Sequence, residues 1–403
     1  MMMHILIGGK GDNMSEDKNV ARERFKTERP ILYNKFQNLQ DKFARGESIG
    51  ILRIEYDYTC NMSCVHCCIK GFQGGQVRRK MTIADMKELS RQADELGLAR
   101  FVITGGEPLL FPDLEELVQA IDPKKFYINM DTNAWLLDMD KAKWLKKIGI
   151  DRVQVSLDNL YPELHDQFRR KPGSHKRTIE ALDYAIAAGL DINITTVVDK
   201  KRLHSEELIK FLDFTTKKGI PVCCQWAKPV GNYEGNKDCL IDKDDIAFEK
   251  ELEKKYKVFN HLTPAYGLDM GCIAVKGIFS ITAYGDLLPC PYMHISLGNI
   301  FEEPLKVILE RGMKYFGKKV DTCLIAEDRE FIANYEKKLY GKKPPVSYKE
   351  VFEDDLSKSA MCSNCESNED EYSDDICSMC KYAYNEGVKE TWLMDKYVPK
   401  DRK

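Results

Sequence analysis

The sequence predicts an α/β protein built on a parallel sheet, with a cysteine-rich extension behind it. Three observations carry this expectation. Apolar runs of strand type alternate six times with stretches of helical period between residues 51 and 226. Gly97, Gly149, Gly189 and Gly219 each fall where a helix ends in a left-handed cap. After about residue 232 that rhythm stops, and cysteines recur from Cys272 onward. Strands joined through helices pair in parallel with right-handed crossovers. Such a sheet either stays open and doubly wound or curls into a partial barrel. In both cases ligands collect at the carboxyl ends of the strands.

In chain order, residues 15–48 are charged and predict helix around 31–44. Strands are expected at 51–56, 101–104, 126–131, 152–157, 191–198 and 220–226. Helices are expected at 82–97, 113–121, 138–148, 174–188 and 205–218. Thr82 and Asp113 suit N-cap positions, because a short side-chain oxygen accepts from the free amides of the first turn. Beyond the sixth strand, a lysine-rich helix at 244–256 leads to a hairpin, 277–283 with 286–289, turned at Tyr284 and Gly285. A helix at 303–316 follows, then a strongly acidic stretch at 349–375. The expected organisation is a helical segment at 1–49, the β/α body at 50–235, a linker helix at 236–270, a cysteine-rich domain at 271–385 and a tail at 386–403.

The 403 residues leave room for one large α/β domain with an appendage. A net charge of −3, with 43% hydrophobic and 31% charged residues, suits a soluble globular chain and gives no global basic signal for nucleic acid. No run reaches the roughly 18 apolar residues of a membrane helix. Near the start only Ile5, Leu6 and Ile7 form an apolar core, too short for a secretory signal, and either Met1 or Met14 can serve as the start. The expected location is the cytoplasm, where thiols stay reduced. The 14 cysteines therefore point to metal or cluster ligation before disulfides.

Cys60, Cys64 and Cys67 form Cys-x3-Cys-x2-Cys directly after the first strand. Three thiolates on one tight loop can hold three irons of a 4Fe–4S cube and leave the fourth iron open. A zinc knuckle competes with this reading, but structural zinc takes four ligands in paired spacing. His66, between two ligands, would strain to reach the same ion. Thr104-Gly-Gly-Glu-Pro108 ends the second strand, Asp131-Thr-Asn-Ala134 the third and Ser156-Leu-Asp158 the fourth. His165-Asp-Gln-Phe-Arg169 and Gly173-Ser174 continue the text.

Together these motifs resemble the radical S-adenosylmethionine (SAM) superfamily. The resemblance implies a partial (β/α)6 barrel of TIM type, in which the open iron binds the amino and carboxylate groups of SAM. It places His66 by the adenine, Gly105, Gly106 and Glu107 at the SAM amino group, and Ser156 and Arg169 at its carboxylate or ribose. Asn133, Asp158, Thr195 and Thr196 complete the expected cradle. Ala134 and Asn159 stand where the family carries glycine; asparagine tolerates the positive φ of such a turn.

Cys272, followed by Gly285-x4-Cys290, Ser296-Leu-Gly-Asn-Ile-Phe301 and a helix, resembles the auxiliary-cluster extension of that superfamily, the SPASM domain or its shorter twitch form. Cys323, Cys362, Cys365, Cys377 and Cys380 bring the count in this region to seven, the number the long form uses. The tail departs from that form. It reads Cys362-x2-Cys365-x11-Cys377-x2-Cys380, which also describes a zinc knuckle or a rubredoxin-like iron site. The expectation is one auxiliary 4Fe–4S cluster on Cys272, Cys290 and Cys323, and a second metal site, cluster or zinc, on the tail four. Cys68, Cys223, Cys224 and Cys239 lack ligand spacing and default to packing. Lys228 and Tyr233 are expected at the barrel mouth.

The implied chemistry is reductive cleavage of SAM to a 5′-deoxyadenosyl radical, fed by a flavodoxin- or ferredoxin-type donor, and abstraction of a hydrogen atom from substrate. Proximity then selects which hydrogen is lost. Enzymes with this extension mostly modify ribosomally made peptides or protein side chains, so a peptide substrate is expected first. The short N-terminal segment, and Pro291 where the sulfatase-maturing branch has aspartate, favour instead oxidation or decarboxylation of a small molecule from a cofactor, tetrapyrrole or sugar pathway. A non-catalytic iron–sulfur or zinc scaffold is the reading of another class. Gly105-Gly106-Glu107 argues against it, because a scaffold needs no amino-acid cradle.

Overall fold

The structure, a computed structural model, describes residues 16–73 and 78–352. Cys362, Cys365, Cys377 and Cys380 lie outside the described residues. The body is a nine-stranded sheet: β1 (Ile51–Asp57), β2 (Arg100–Gly105), β3 (Tyr127–Thr132), β4 (Arg152–Ser156), β5 (Asp191–Val198), β6 (Val222–Trp226), β7 (Val258–Phe259), β8 (Ile278–Ile281) and β9 (Leu287–Leu288). Their order is β7-β6-β5-β4-β3-β2-β1-β8-β9. All neighbours pair in parallel except β9, which turns back on β8. The result is a partial TIM-type barrel, open between β7 and β9.

The five expected helices form as Ile83–Glu95, Leu114–Ile121, Met139–Ile148, Ser174–Ala187 and Glu206–Lys217. Gly97, Gly149, Gly189 and Gly219 all take positive φ behind them. Thr82 closes a capping box with Asp85. Asp113 does not cap its helix; its carboxylate accepts the Tyr56 hydroxyl at 2.5 Å instead. Five of six residues in both β2 and β3 are buried, as a sheet covered on both faces requires.

The structure adds two elements to the expected body. Helix Pro162–Arg169 lies between β4 and its crossover helix, and it carries Arg169. The expected linker helix, Lys243–Lys255, delivers β7 to the sheet as a seventh parallel strand. The hairpin joins the same sheet, with β8 parallel to β1 and Ile278 opposite Ile51. One hydrophobic core runs from β1 into the residues around Cys272 and Cys323.

At the other end, helices Glu16–Glu28, Pro30–Gln37 and Leu39–Ala44 pack Phe25, Leu32, Phe36 and Leu39 against Ala99 and Tyr127. Arg29 reaches Asp151 and the carbonyls of Pro123 and Phe126, which sealed the amino ends of the strands. A ligand therefore has the carboxyl ends to itself. Among the described residues, no helix is long and apolar enough to cross a membrane.

Candidate active site

The loop with Cys60, Cys64 and Cys67 is held from three sides. The β1–β2 ladder shifts register between Glu55 and Asp57, then continues past the strand ends: Gly106 donates to the Asp57 carbonyl at 2.8 Å and Glu107 to that of Thr59 at 2.9 Å. A Cβ on Gly105 would stand 2.2 Å from the Asp57 oxygen, and one on Gly106 2.0 Å from the Thr59 oxygen. These two glycines thus let two backbone segments touch, which fixes where the cysteine loop begins. In the middle of the loop, Val65 donates to the Phe168 carbonyl at 3.0 Å. Asn232, after β6, donates its amide to the Cys67 carbonyl at 3.0 Å and its Nδ2 to that of Cys64 at 2.8 Å.

One cavity of about 260 Å³ is lined by both cysteine trios, Cys60, Cys64 and Cys67 with Cys272, Cys290 and Cys323. Of the residues expected around SAM, His66, Gly105, Gly106, Asn133, Ser156, Arg169 and Thr195 reach its wall. Three others face away. Glu107 is buried behind the wall, its carboxylate accepting from the Thr132 hydroxyl at 2.7 Å and from the amides of Asn133 and Leu109 at 2.7 and 3.1 Å. Burial pushes this carboxyl up to about 7 against those bonds. It organises the end of β3.

Asp158 lies behind Arg169, accepting from its Nε at 2.6 Å and from the Val197 amide at 3.0 Å. Burial alone would raise the Asp158 carboxyl, but the guanidinium holds it well below the usual carboxylate range. Thr196 takes the opposite face of β5 from Thr195, and its hydroxyl accepts from Arg202 at 2.7 Å. At the turns, Ala134 adopts φ +61 in place of glycine. Asn159 does not; its Oδ1 instead accepts the Tyr161 amide at 2.9 Å in an Asx turn.

The donor set suits iron–sulfur ligation. Arg169 Nη1 stands 3.8 Å from Cys64 Sγ and Asn133 Nδ2 4.0 Å from Cys60 Sγ, so N–H groups face two sulfurs that a cluster would leave charged. Burial pushes the Cys67 thiol up to about 11 and those of Cys290 and Cys323 to about 12. Assembly of a cluster must displace those protons. Among the described residues, no three ligand side chains converge on a single ion. Each trio borders the common cavity. His66 stacks on Phe168, centroids 4.6 Å apart, and its buried Nδ1 has no partner. Burial brings that imidazole down to about 3, which leaves a neutral ring on the wall.

Several wall residues escaped the motifs. Glu55 accepts from the Tyr58 hydroxyl at 3.1 Å, and burial pushes it up to about 7. Arg53 crosses to Asp131 at 2.5 Å. The signal for both was a charge on alternate positions of an otherwise apolar strand. His261 follows β7, a strand too short to show a period. Lys228 and Tyr233 line the wall as expected. Cys223 receives Gln225 Nε2 at 3.1 Å, Cys224 lies in the core and Cys239 is buried, while Cys68 borders the cavity.

A family model of the radical SAM superfamily matches residues 54–213, and one of an iron–sulfur cluster-binding domain matches residues 272–324. The chain is 26% identical over 282 residues to an AdoMet-dependent heme synthase of Methanosarcina barkeri, covering 63% of this chain and 80% of that protein. It is 30% identical over 338 residues to a probable GTP 3′,8-cyclase of Methanosarcina mazei, covering 76% and 95%. Among solved structures, SuiB of Streptococcus suis bound to its precursor peptide SuiA has a TM-score of 0.53 at 19% identity, over 74% of this chain and 72% of that one. Native anSMEcpe with bound AdoMet has a TM-score of 0.51 at 17% identity, over 66% and 83%. These two likenesses are of fold.

Proposed function

Because the chain belongs to the radical SAM superfamily and carries a C-terminal iron–sulfur cluster-binding domain, we propose that it oxidises a small molecule by hydrogen-atom abstraction in the cavity between its cysteine trios. The observation that carries this reading is the single cavity both trios share. The cofactors are 4Fe–4S clusters and SAM. When bound, the cluster on Cys60, Cys64 and Cys67 supplies the electron that splits SAM into methionine and the hydrogen-abstracting 5′-deoxyadenosyl radical.

The chain's own residues do the rest. Arg169 and Asn133 turn N–H groups toward the cysteine sulfurs, and the His66–Phe168 stack offers a flat face to an adenine. Trp226, Tyr292, Met293 and Ile325 line the wall and exclude water, which holds a substrate carbon where one hydrogen is lost. Loss of a hydrogen atom and then an electron leaves a proton to be taken up. The Glu55 carboxylate, with its pKa near neutral, is placed to take it. Cys272, Cys290 and Cys323 would hold an auxiliary cluster, which would supply an acceptor for the electron. A flavodoxin- or ferredoxin-type donor in the cytoplasm completes the reading.

The relatives of which the chain spans 80% and 95% carry the names of a heme synthase and a GTP cyclase, and this favours a small molecule. A peptide, expected first from the sequence, is the second reading. It is supported by the fold shared with SuiB, whose structure holds a precursor peptide. The test is anaerobic reconstitution with iron and sulfide, then SAM and dithionite. Wild type forms 5′-deoxyadenosine and Cys60→Ala does not; a fully iron-loaded wild type that forms none refutes the enzyme reading. Turnover stimulated by the small-molecule fraction of a cell extract supports the first substrate class. Stimulation by the peptide fraction alone moves the assignment to the second.

A further inference from the structure

Three cations line the cavity wall, and two are matched. Arg53 pairs with Asp131 and Arg169 with Asp158. Lys228 is the third. It is 5% exposed, its Nζ donates to the Trp226 carbonyl at 2.6 Å and stands 4.2 Å from the centre of the Tyr292 ring. Among the described residues, no carboxylate lies within ion-pair distance of it. The Glu249 carboxyl is felt by this ammonium but makes no contact with it. A buried ammonium without a bonded counter-charge is costly to keep, so its place on a cavity wall suits an anion from outside the chain.

A second observation points to the same spot. His261 lines this cavity, packs edge-on to Trp226 at 5.0 Å, and has both ring nitrogens buried without a partner. We propose that Lys228 and His261 form a subsite for a carboxylate of the substrate, an inference that rests on the reading of this cavity as the substrate site. Burial and the neighbouring ammonium keep His261 neutral, so the ring has one N–H to donate. One ammonium and one N–H match one negative charge spread over two oxygens; a phosphate dianion calls for a second cation. Tyr292, whose ring faces the Lys228 ammonium, stands two residues after Cys290 on the same cavity wall. The subsite therefore belongs to the auxiliary half of the cavity.

The test uses the full chain, reconstituted anaerobically, with ¹³C-labelled acetate as probe and acetamide as the uncharged control. The acetate resonance broadens with wild type while that of acetamide does not. The dissociation constant rises about tenfold or more in Lys228→Met and is retained in Lys228→Arg. No broadening by wild type, or equal broadening by wild type and Lys228→Met, overturns the proposal. So does loss of iron in Lys228→Met with iron kept in Lys228→Arg, which assigns the ammonium to the cluster. Displacement of acetate by equimolar inorganic phosphate marks a dianion site and also overturns it. Because the readout is binding, a wild type that forms no 5′-deoxyadenosine yet binds acetate through Lys228 removes the proposed activity and keeps the subsite.

Discussion

Asp158→Asn tests whether the Arg169 guanidinium is anchored as described. The side chains are 4% and 8% exposed, so water screens neither charge. Asparagine can still accept from the Val197 amide, but it leaves Arg169 buried without its carboxylate, with only the Cys64 sulfur at 3.8 Å facing it. Removing one partner of such a pair costs about 3–5 kcal/mol, a large part of the stability of an ordinary domain. Urea unfolding of the anaerobic protein, followed by circular dichroism, measures the loss. The double variant Asp158→Asn with Arg169→Met recovers a large part of it, because no orphan charge remains. The pH dependence has a defined sign. The folded state holds Asp158 below its ordinary value, so its contribution is present above the unfolded carboxyl pKa and is lost as pH falls through the folded one. The gap between wild type and Asp158→Asn therefore narrows in acid. A loss below about 1 kcal/mol, or a double variant no more stable than the single one, refutes the anchoring.

Four further outcomes are expected. Gly106→Ala forces a methyl to 2.0 Å from the Thr59 oxygen and lowers iron content by about one cluster, whereas Gly219→Ala meets nothing within 4 Å and costs about 1–2 kcal/mol of strain with iron unchanged. Arg170→Gly relieves an exposed φ of +51 behind helix Pro162–Arg169 and stabilises by about 1 kcal/mol, read as a higher Tm. Glu249, which accepts the Trp226 indole N–H, is pushed up to about 7 by burial, so its contribution is lost as pH rises through 7. Wild type then loses about 1.4 kcal/mol from this group between pH 6 and 8, and a Glu249→Gln slope equal to wild type would contradict this. Cys362→Ala with Cys377→Ala lowers iron by about one cluster; unchanged iron with lost zinc assigns zinc to the tail.

The β/α body was legible because its helices announce themselves twice, by period and by glycine caps such as Gly149, and because alternating strands follow. β7 was not, since two residues cannot display a period; His261, which it delivers, was lost with it. The cysteine loop was readable as a ligand set, but its supports were not. Asn232 grips the loop through backbone carbonyls, and no side-chain pattern records such a contact. Glu107 and Thr196 show a related limit. A motif locates a strand end but does not say which face each side chain takes. At Thr195 and Thr196 the two-residue period separates neighbours that composition treats alike. Glu55 was visible only as a charge in an apolar strand, a signal that burial turned into a near-neutral carboxyl.

The pairing of β8 with β1 has a consequence for how the protein is made. Strands β1 to β6 can join the sheet as each emerges from the ribosome, but the outer edge of β1 stays bare until Ile278 arrives opposite Ile51. During that interval a strand edge is free to pair with another chain, and the cavity has no auxiliary wall. Cys60, Cys64 and Cys67 stay partly exposed in the finished fold, whereas Cys272 and Cys323 are buried, so the auxiliary trio is the one that the arrival of the hairpin encloses. A truncation before β8 is expected to accumulate as aggregate even though the first cysteine motif is complete.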